Sequence, residues 1–276
     1  MAINVRRLDR VVVVAGDLDA LTRFYVGLGF AGDDARAAPE QASLADARIA
    51  TTRALRLASQ IVELVAFDPP GAAYPLPTRS TDPWFQHIAL IAPDIEAAMT
   101  LLRALGGWTP ISRGGMERLP ERAGGVSAFK FRDPEGHPLE LLAFPAGKAP
   151  EPWRGTGPGL LGYDHSAIGV HDVATSIAFW RGEMGLSLGP RTLNDGPEQA
   201  ALDGLDGPVV DVVAMRPATP TPHVELLGYH ARDRARPVPI GARDRAATRL
   251  MLAADGVSVP SLTRDPDGHW LHLIPA

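Results

Sequence analysis

Three stretches of the chain repeat one order of apolar and polar positions. Each opens on a short, largely β-branched run: Leu8-Asp9-Arg10-Val11-Val12-Val13-Val14, Phe85-Gln86-His87-Ile88-Ala89-Leu90-Ile91 and Tyr163-Asp164-His165-Ser166-Ala167-Ile168-Gly169-Val170. Such runs favour strand, where branched side chains pack on a pleated surface. An Asp then follows (Asp17, Asp94, Asp172), suited to cap a helix start by accepting from its free amides. Behind Asp17, the residues Leu18, Leu21, Phe24 and Tyr25 recur at helical spacing and predict one buried face. Leu101-Leu102 and Phe179-Trp180 hold the place of Phe24-Tyr25 in the other copies. Gly29, Gly106 and Gly185 fall where each helix must turn away.

Each copy closes on paired strands. Ala54–Leu57 leads to Ile61–Val65, Ala128–Phe131 to Pro138–Leu142, and Val209–Met215 to His223–Leu227. The second pair turns at Asp133-Pro134-Glu135-Gly136, where Pro presets φ and Gly tolerates the last turn position. A fourth copy is abridged: Arg249–Leu252, the turn Asp265-Pro266-Asp267-Gly268, then Trp270–Ile274. About one helix and one strand are missing from it. The pattern therefore predicts an α+β protein of tandem βαβββ modules, three complete and the fourth truncated.

Without its helix, the fourth module leaves Leu250, Leu252, Leu271 and Leu273 in need of another surface. A homodimer is the expectation. Pro- and Gly-rich connectors span Asp68–Pro83, Ala146–Gly162 and Gly228–Arg245. The middle one divides the chain into an N-terminal domain, residues 1–148 with modules at about 5–70 and 84–146, and a C-terminal domain, residues 160–276.

Composition narrows the chemistry. The net charge of −5 and the absence of a basic block argue against nucleic acid as a partner. The Arg232–Arg245 stretch is interleaved with Asp233 and Asp244 and reads as a solvated connector. With no Cys, thiol nucleophiles, zinc ribbons and disulfides are excluded. No apolar run approaches the roughly 18 residues a membrane helix needs, and the first residues enter a strand pattern directly, so a cytoplasmic protein is expected.

The repeated unit, with a His in its first strand and a Glu in its last, resembles the vicinal-oxygen-chelate (glyoxalase/bleomycin resistance/extradiol dioxygenase) superfamily. The resemblance is carried by Gln86-His87-Ile88-Ala89-Leu90 with Asp133-Pro134-Glu135-Gly136-His137-Pro138-Leu139-Glu140, and by Asp164-His165-Ser166-Ala167-Ile168. It implies that units pair into two cup-shaped, half-barrel sheets. Each unit then offers one first-strand and one last-strand residue to a divalent metal that chelates adjacent oxygens of a small molecule.

Pairing neighbouring units places Arg10, Glu63, His87 and Glu140 in one cup and His165, Glu225, Arg249 and His272 in the other. Arg stands at one ligand position of each, and a guanidinium has no lone pair for a metal. On one reading, His165, Glu225 and His272 hold Fe(II), Mn(II) or Zn(II), with His87, Glu140 and Glu63 as a second candidate set. The protein is then a dioxygenase, lyase or isomerase. On the other, Arg10 and Arg249 replace the metal, and the protein is a metal-free small-molecule binder. A third leaves one cup as scaffold only. His223, Trp270 and Met251 join the two arginines as expected pocket residues. His137 and His269 follow the Asp-Pro-x-Gly turns and read as hairpin residues.

Overall fold

A computed structural model describes residues 3–230 and 239–276; residues 231–238 of the Arg-rich connector lie outside the described residues. The first unit comprises β1 (Asn4–Val14), α1 (Leu18–Gly27), the short β2 (Ala31–Gly32) and β3 (Arg36–Ala37), α2 (Pro39–Leu44), β4 (Ile49–Leu57) and β5 (Gln60–Asp68). The second comprises β6 (Gln86–Ile91), α3 (Ile95–Leu105), β7 (Thr109–Pro110), β8 (Glu117–Arg118), β9 (Ser127–Arg132) and β10 (Pro138–Ala143). The third has β11 (Gly162–Gly169), α4 (Val173–Gly182), β12 (Ser187–Asn194), α5 (Gly196–Asp203), β13 (Val210–Arg216) and β14 (His223–Tyr229). The fourth keeps only strands, β15 (Arg249–Asp255), β16 (Ser261–Arg264) and β17 (Trp270–Pro275).

The helix starts follow the sequence pattern. Asp17, Asp94 and Asp172 accept from the amides of Ala20, Ala97 and Thr175 at 2.9, 2.9 and 2.7 Å, each satisfying one orphan donor. Leu21, Phe24 and Tyr25 form the buried face of α1.

The pairing of units differs from the expected one. One sheet runs β16-β17-β15-β1-β5-β4-β2, joining the first unit to the fourth. The other runs β12-β13-β14-β11-β6-β10-β9-β7, joining the second to the third. Both junctions are antiparallel, β1 with β15 and β6 with β11. Each sheet thus draws on both halves of the chain, so the division near residues 148–160 separates no sheet from the other.

Successive units instead meet through their turns. The Glu135 carboxylate accepts from the amides of Gly16 and Asp17 at 2.6 and 2.7 Å. His137, whose amide donates to the turn Asp133, is buried with Nε2 3.1 Å from the carbonyl oxygen of Val14. The second half repeats the device: Asp267 accepts from the His171 amide and the Ser176 hydroxyl, and His269 Nε2 donates to the Gly169 carbonyl at 2.7 Å. These hairpin contacts hold neighbouring units against each other and leave their strand edges to pair elsewhere.

The largest apolar cluster lies on the faces turned away from the cups. It includes Leu21 and Tyr25 of α1, Met99 and Leu102 of α3, and Trp180 of α4. Leu250, Leu252, Leu271 and Leu273 are buried in that same cluster. The helix-free face that suggested a second subunit is covered within the chain. Among the described residues, no helix is long and apolar enough to cross a membrane.

Candidate metal centre

The four central strands of the second sheet each bring one polar side chain to its cup: His87 from β6, Glu140 from β10, His165 from β11 and Glu225 from β14. Register explains the convergence. Ala89 lies opposite both His165 and Glu140, and Ala167 opposite both His87 and Glu225. Residues two apart on a strand share a face, so each imidazole stands beside a buried alanine that occupies little of the cup.

His87 Nε2 is 2.9 Å from Glu140 Oε2. His165 Nε2 is 3.9 Å from that oxygen and 3.5 Å from Glu225 Oε2. The donor atoms of His87, Glu140 and His165 all lie within 4.8 Å of one another. His87 Nδ1 is buried without a hydrogen-bond partner among the described residues, and the Nε2 atoms of His87 and His165 face only carboxylate oxygens. Orphaned buried nitrogens are costly and uncommon, and lone pairs aimed at one point are what a divalent cation takes up. The residues therefore suit a metal and could hold one.

Electrostatics sharpen the site. Burial lowers His87 to about 4, so its imidazole is neutral. Burial would lower His165 too, but the surrounding Glu225, Asp164 and Glu140 raise it to about 9. Glu140 is pushed up by burial but brought down to about 2 by Lys130, His87 and His165. Lys130 is itself buried, with Nζ 2.7 Å from Asp203 Oδ1; the other Asp203 oxygen accepts from Gln199 at 2.7 Å and from the Tyr229 hydroxyl at 3.0 Å. A cavity of about 280 Å³ opens over the cluster, walled by Leu119, Val126, Leu142, Phe144, Leu202 and Val212. His223 also lines it.

The other cup is filled. Helix α2 sends Gln41 into its centre, where Nε2 lies 3.4 Å from Glu63 Oε1 and 3.4 Å from His272 Nδ1, and Oε1 accepts from Arg249 at 2.8 Å. Arg10 binds Glu63 at 2.9 Å. Arg249 is fully buried, donates to the Ala242 carbonyl and lies 5.2 Å from the Phe67 ring centre. Ala42 of α2 and Ala45, just past its end, pack with Val12, Val14, Val65 and Met251, and Trp270 borders the same cluster.

The two candidate ligand sets are therefore regrouped. His272 does not stand with His165 and Glu225, and Glu63 does not stand with His87 and Glu140, because each belongs to the opposite sheet. Likewise the two arginines do not divide between cups: Arg10 and Arg249 share one. Lys130, Asp164, Trp153 and Gln41 were not singled out from sequence. Lys130 had a signal, since alternation in Ala128-Phe129-Lys130-Phe131 puts a charge on the cup face. Gln41 had none, sitting in a weakly patterned segment.

Residues 7–141 match the family model of the Glyoxalase/Bleomycin resistance protein/Dioxygenase superfamily. Among solved structures, the chain is similar to glyoxalase I from Zea mays, at 16% identity and a TM-score of 0.60 over 99% of this chain and 92% of that one. It is also similar to a proposed dioxygenase from Bacillus subtilis subsp. subtilis str. 168, at 14% identity and a TM-score of 0.58 over 98% and 85%. No curated protein matches the sequence. Over residues 7–141 the chain matches that superfamily's model, and along its length it shares the fold of these solved structures.

Proposed function

We propose that the cup formed by the second and third units is a metal-dependent active site for a small substrate bearing two adjacent oxygens, and that the reaction is an isomerisation or lyase step driven by proton transfer. The observation that carries this reading is the convergence of two imidazoles and two carboxylates, the Nε2 atoms facing only carboxylate oxygens, under a partly apolar cavity. His87, Glu140, His165 and Glu225 would hold one divalent ion, Fe(II), Mn(II) or Zn(II). Such an ion supplies Lewis acidity toward oxygens of the substrate.

The chain's own groups divide the remaining work. The apolar residues of the cavity wall orient the carbon skeleton. Glu225, the more exposed of the two carboxylates, is placed to take a proton from carbon through Oε2 and return it nearby. Glu140 is held ionised beside Lys130 and contributes fixed negative charge. The second carboxylate favours this chemistry over dioxygenase chemistry, which a two-His-one-carboxylate set with more open positions serves. One chain suffices, since both halves of the set come from one polypeptide.

Metal-free ligand capture through Arg10 and Arg249 is the weaker reading, because Gln41 and the Ala242 carbonyl already accept from Arg249, and Glu63 from Arg10. The test is metal analysis of protein purified without chelator or affinity metal, followed by assays on α-oxoaldehyde adducts and catechols with Fe(II), Mn(II) and Zn(II). One bound ion and turnover of the first substrate class support the proposal. Catechol cleavage would redirect it to a dioxygenase, and no ion uptake would overturn it.

A further inference from the structure

In a regular strand Asp164 would point away from the face that carries His165. The pairing of β11 with β6 slips by one residue between Tyr163 and His165, so that Asp164 is the extra residue of a bulge. Bulges re-aim side chains. Here the Asp164 carboxylate turns to the cup side, with Oδ2 3.0 Å from His165 Nδ1. Its other oxygen accepts from the Trp153 indole N–H at 2.6 Å. Trp153 is buried on the short helical turn Glu151–Trp153, in the connector between the two halves.

The same device occurs in the other half. Pairing of β1 with β15 slips between Leu8 and Arg10, and the extra residue, Asp9, accepts from Arg10 Nε at 2.9 Å. Each cup thus uses a bulged Asp to aim the residue after it. In the filled cup that residue is an Arg directed at Glu63; in the open cup it is His165.

We propose that Asp164, anchored by Trp153, is a positioning residue that keeps the proton of His165 on Nδ1 and so directs the Nε2 lone pair at the point shared with His87, Glu140 and Glu225. This rests on the proposed metal reading. Metal-bound histidines are commonly oriented by such an outer carboxylate, whose loss weakens metal binding on the order of 10–100-fold.

The experiment compares wild-type protein with Asp164→Asn, Asp164→Ala, Asp164→Glu and Trp153→Phe. Co(II) is titrated into each apoprotein, and its visible spectrum reports ligand geometry. In parallel, 15N-resolved NMR of the metal-free proteins follows the imidazole N–H proton of His165, which a hydrogen bond to carboxylate shifts downfield and protects from exchange. The expected result is Co(II) affinity lowered about 10–100-fold in Asp164→Ala and Asp164→Asn, partly restored in Asp164→Glu, and lowered less in Trp153→Phe. The downfield resonance is present in wild type and lost in Asp164→Ala, while circular dichroism shows all variants folded. Wild-type Co(II) uptake with unchanged affinity in Asp164→Ala and Asp164→Asn overturns the positioning role alone. No uptake by wild type overturns the metal reading beneath it.

Discussion

Metal uptake by this chain is expected to release one proton over a defined pH range, and the group responsible can be named. Without metal, His165 sits among Asp164, Glu140 and Glu225, which hold its imidazole up at about 9 against the opposing effect of burial. At pH 7 it is therefore protonated, and Nε2 is closed to an ion. His87, lowered to about 4 by burial, is already neutral there, and Glu140, at about 2, is already ionised. Only His165 must lose a proton, so the apparent binding constant should rise about tenfold per pH unit up to about 9 and level off above it. Between pH 9 and pH 6 this is roughly a thousandfold, or about 4 kcal/mol. Calorimetric titration with Zn(II) or Mn(II) in buffers of different ionisation enthalpy counts the protons directly. One proton per ion near pH 7, falling toward none by pH 10, is the expected result. Uptake with no proton release at pH 7 would refute the assignment of a cationic His165.

Three further outcomes follow from the two unequal cups. Saturation at one ion per chain is expected, abolished or greatly weakened in His87→Ala and Glu140→Gln but unchanged in Glu63→Gln and His272→Gln; equilibrium dialysis distinguishes these, and a second ion lost with Glu63 would contradict the filled cup. Replacing Gln41 by Ala leaves the buried Arg249 guanidinium short of an acceptor and should lower stability by about 2 kcal/mol with metal affinity untouched, as read by urea unfolding and Co(II) titration. The metal-free protein should be most stable near pH 6.5. Burial first, joined for His272 by Arg249, keeps His87 and His272 near 4, so only the unfolded chain takes up their protons between about 6.5 and 4, and stability falls with acidification. His165, held near 9, keeps a proton that the unfolded chain gives up above about 6.5, so stability also falls as pH rises toward 9. A flat profile of denaturant midpoints from pH 4 to 9 would refute this.

Local patterns made much of the fold legible. Asp17, Asp94 and Asp172 cap helices as their positions suggest, and the truncated fourth unit lacks its helix as its spacing implied. His87, Glu140, His165 and Glu225 were each visible as first- or last-strand residues. Their grouping was not. Every unit ends in strand edges that can pair with any other, and the choice of partner depends on contacts distant in sequence, such as Glu135 with Gly16 and Asp267 with His171. A slip of one residue at Asp164 is likewise invisible to alternation, which assigns adjacent residues to opposite faces. One Arg per cup would require neighbouring units to pair, and they do not. With Arg10 and Arg249 in the same cup, one site is sealed and the other keeps four ligand-type residues.

The crossed pairing of units also bears on how the two cups could come to differ. Were the halves separate, identical polypeptides joined edge to edge, every substitution would appear in both cups at once, and a helix that plugged one would plug the other. Linking the halves through the connector that carries Trp153 breaks this constraint. One cup is free to accumulate Arg10, Gln41 and Arg249 and become a brace, while its counterpart keeps an open floor. Covalent continuity therefore lets each pocket carry its own set of side chains.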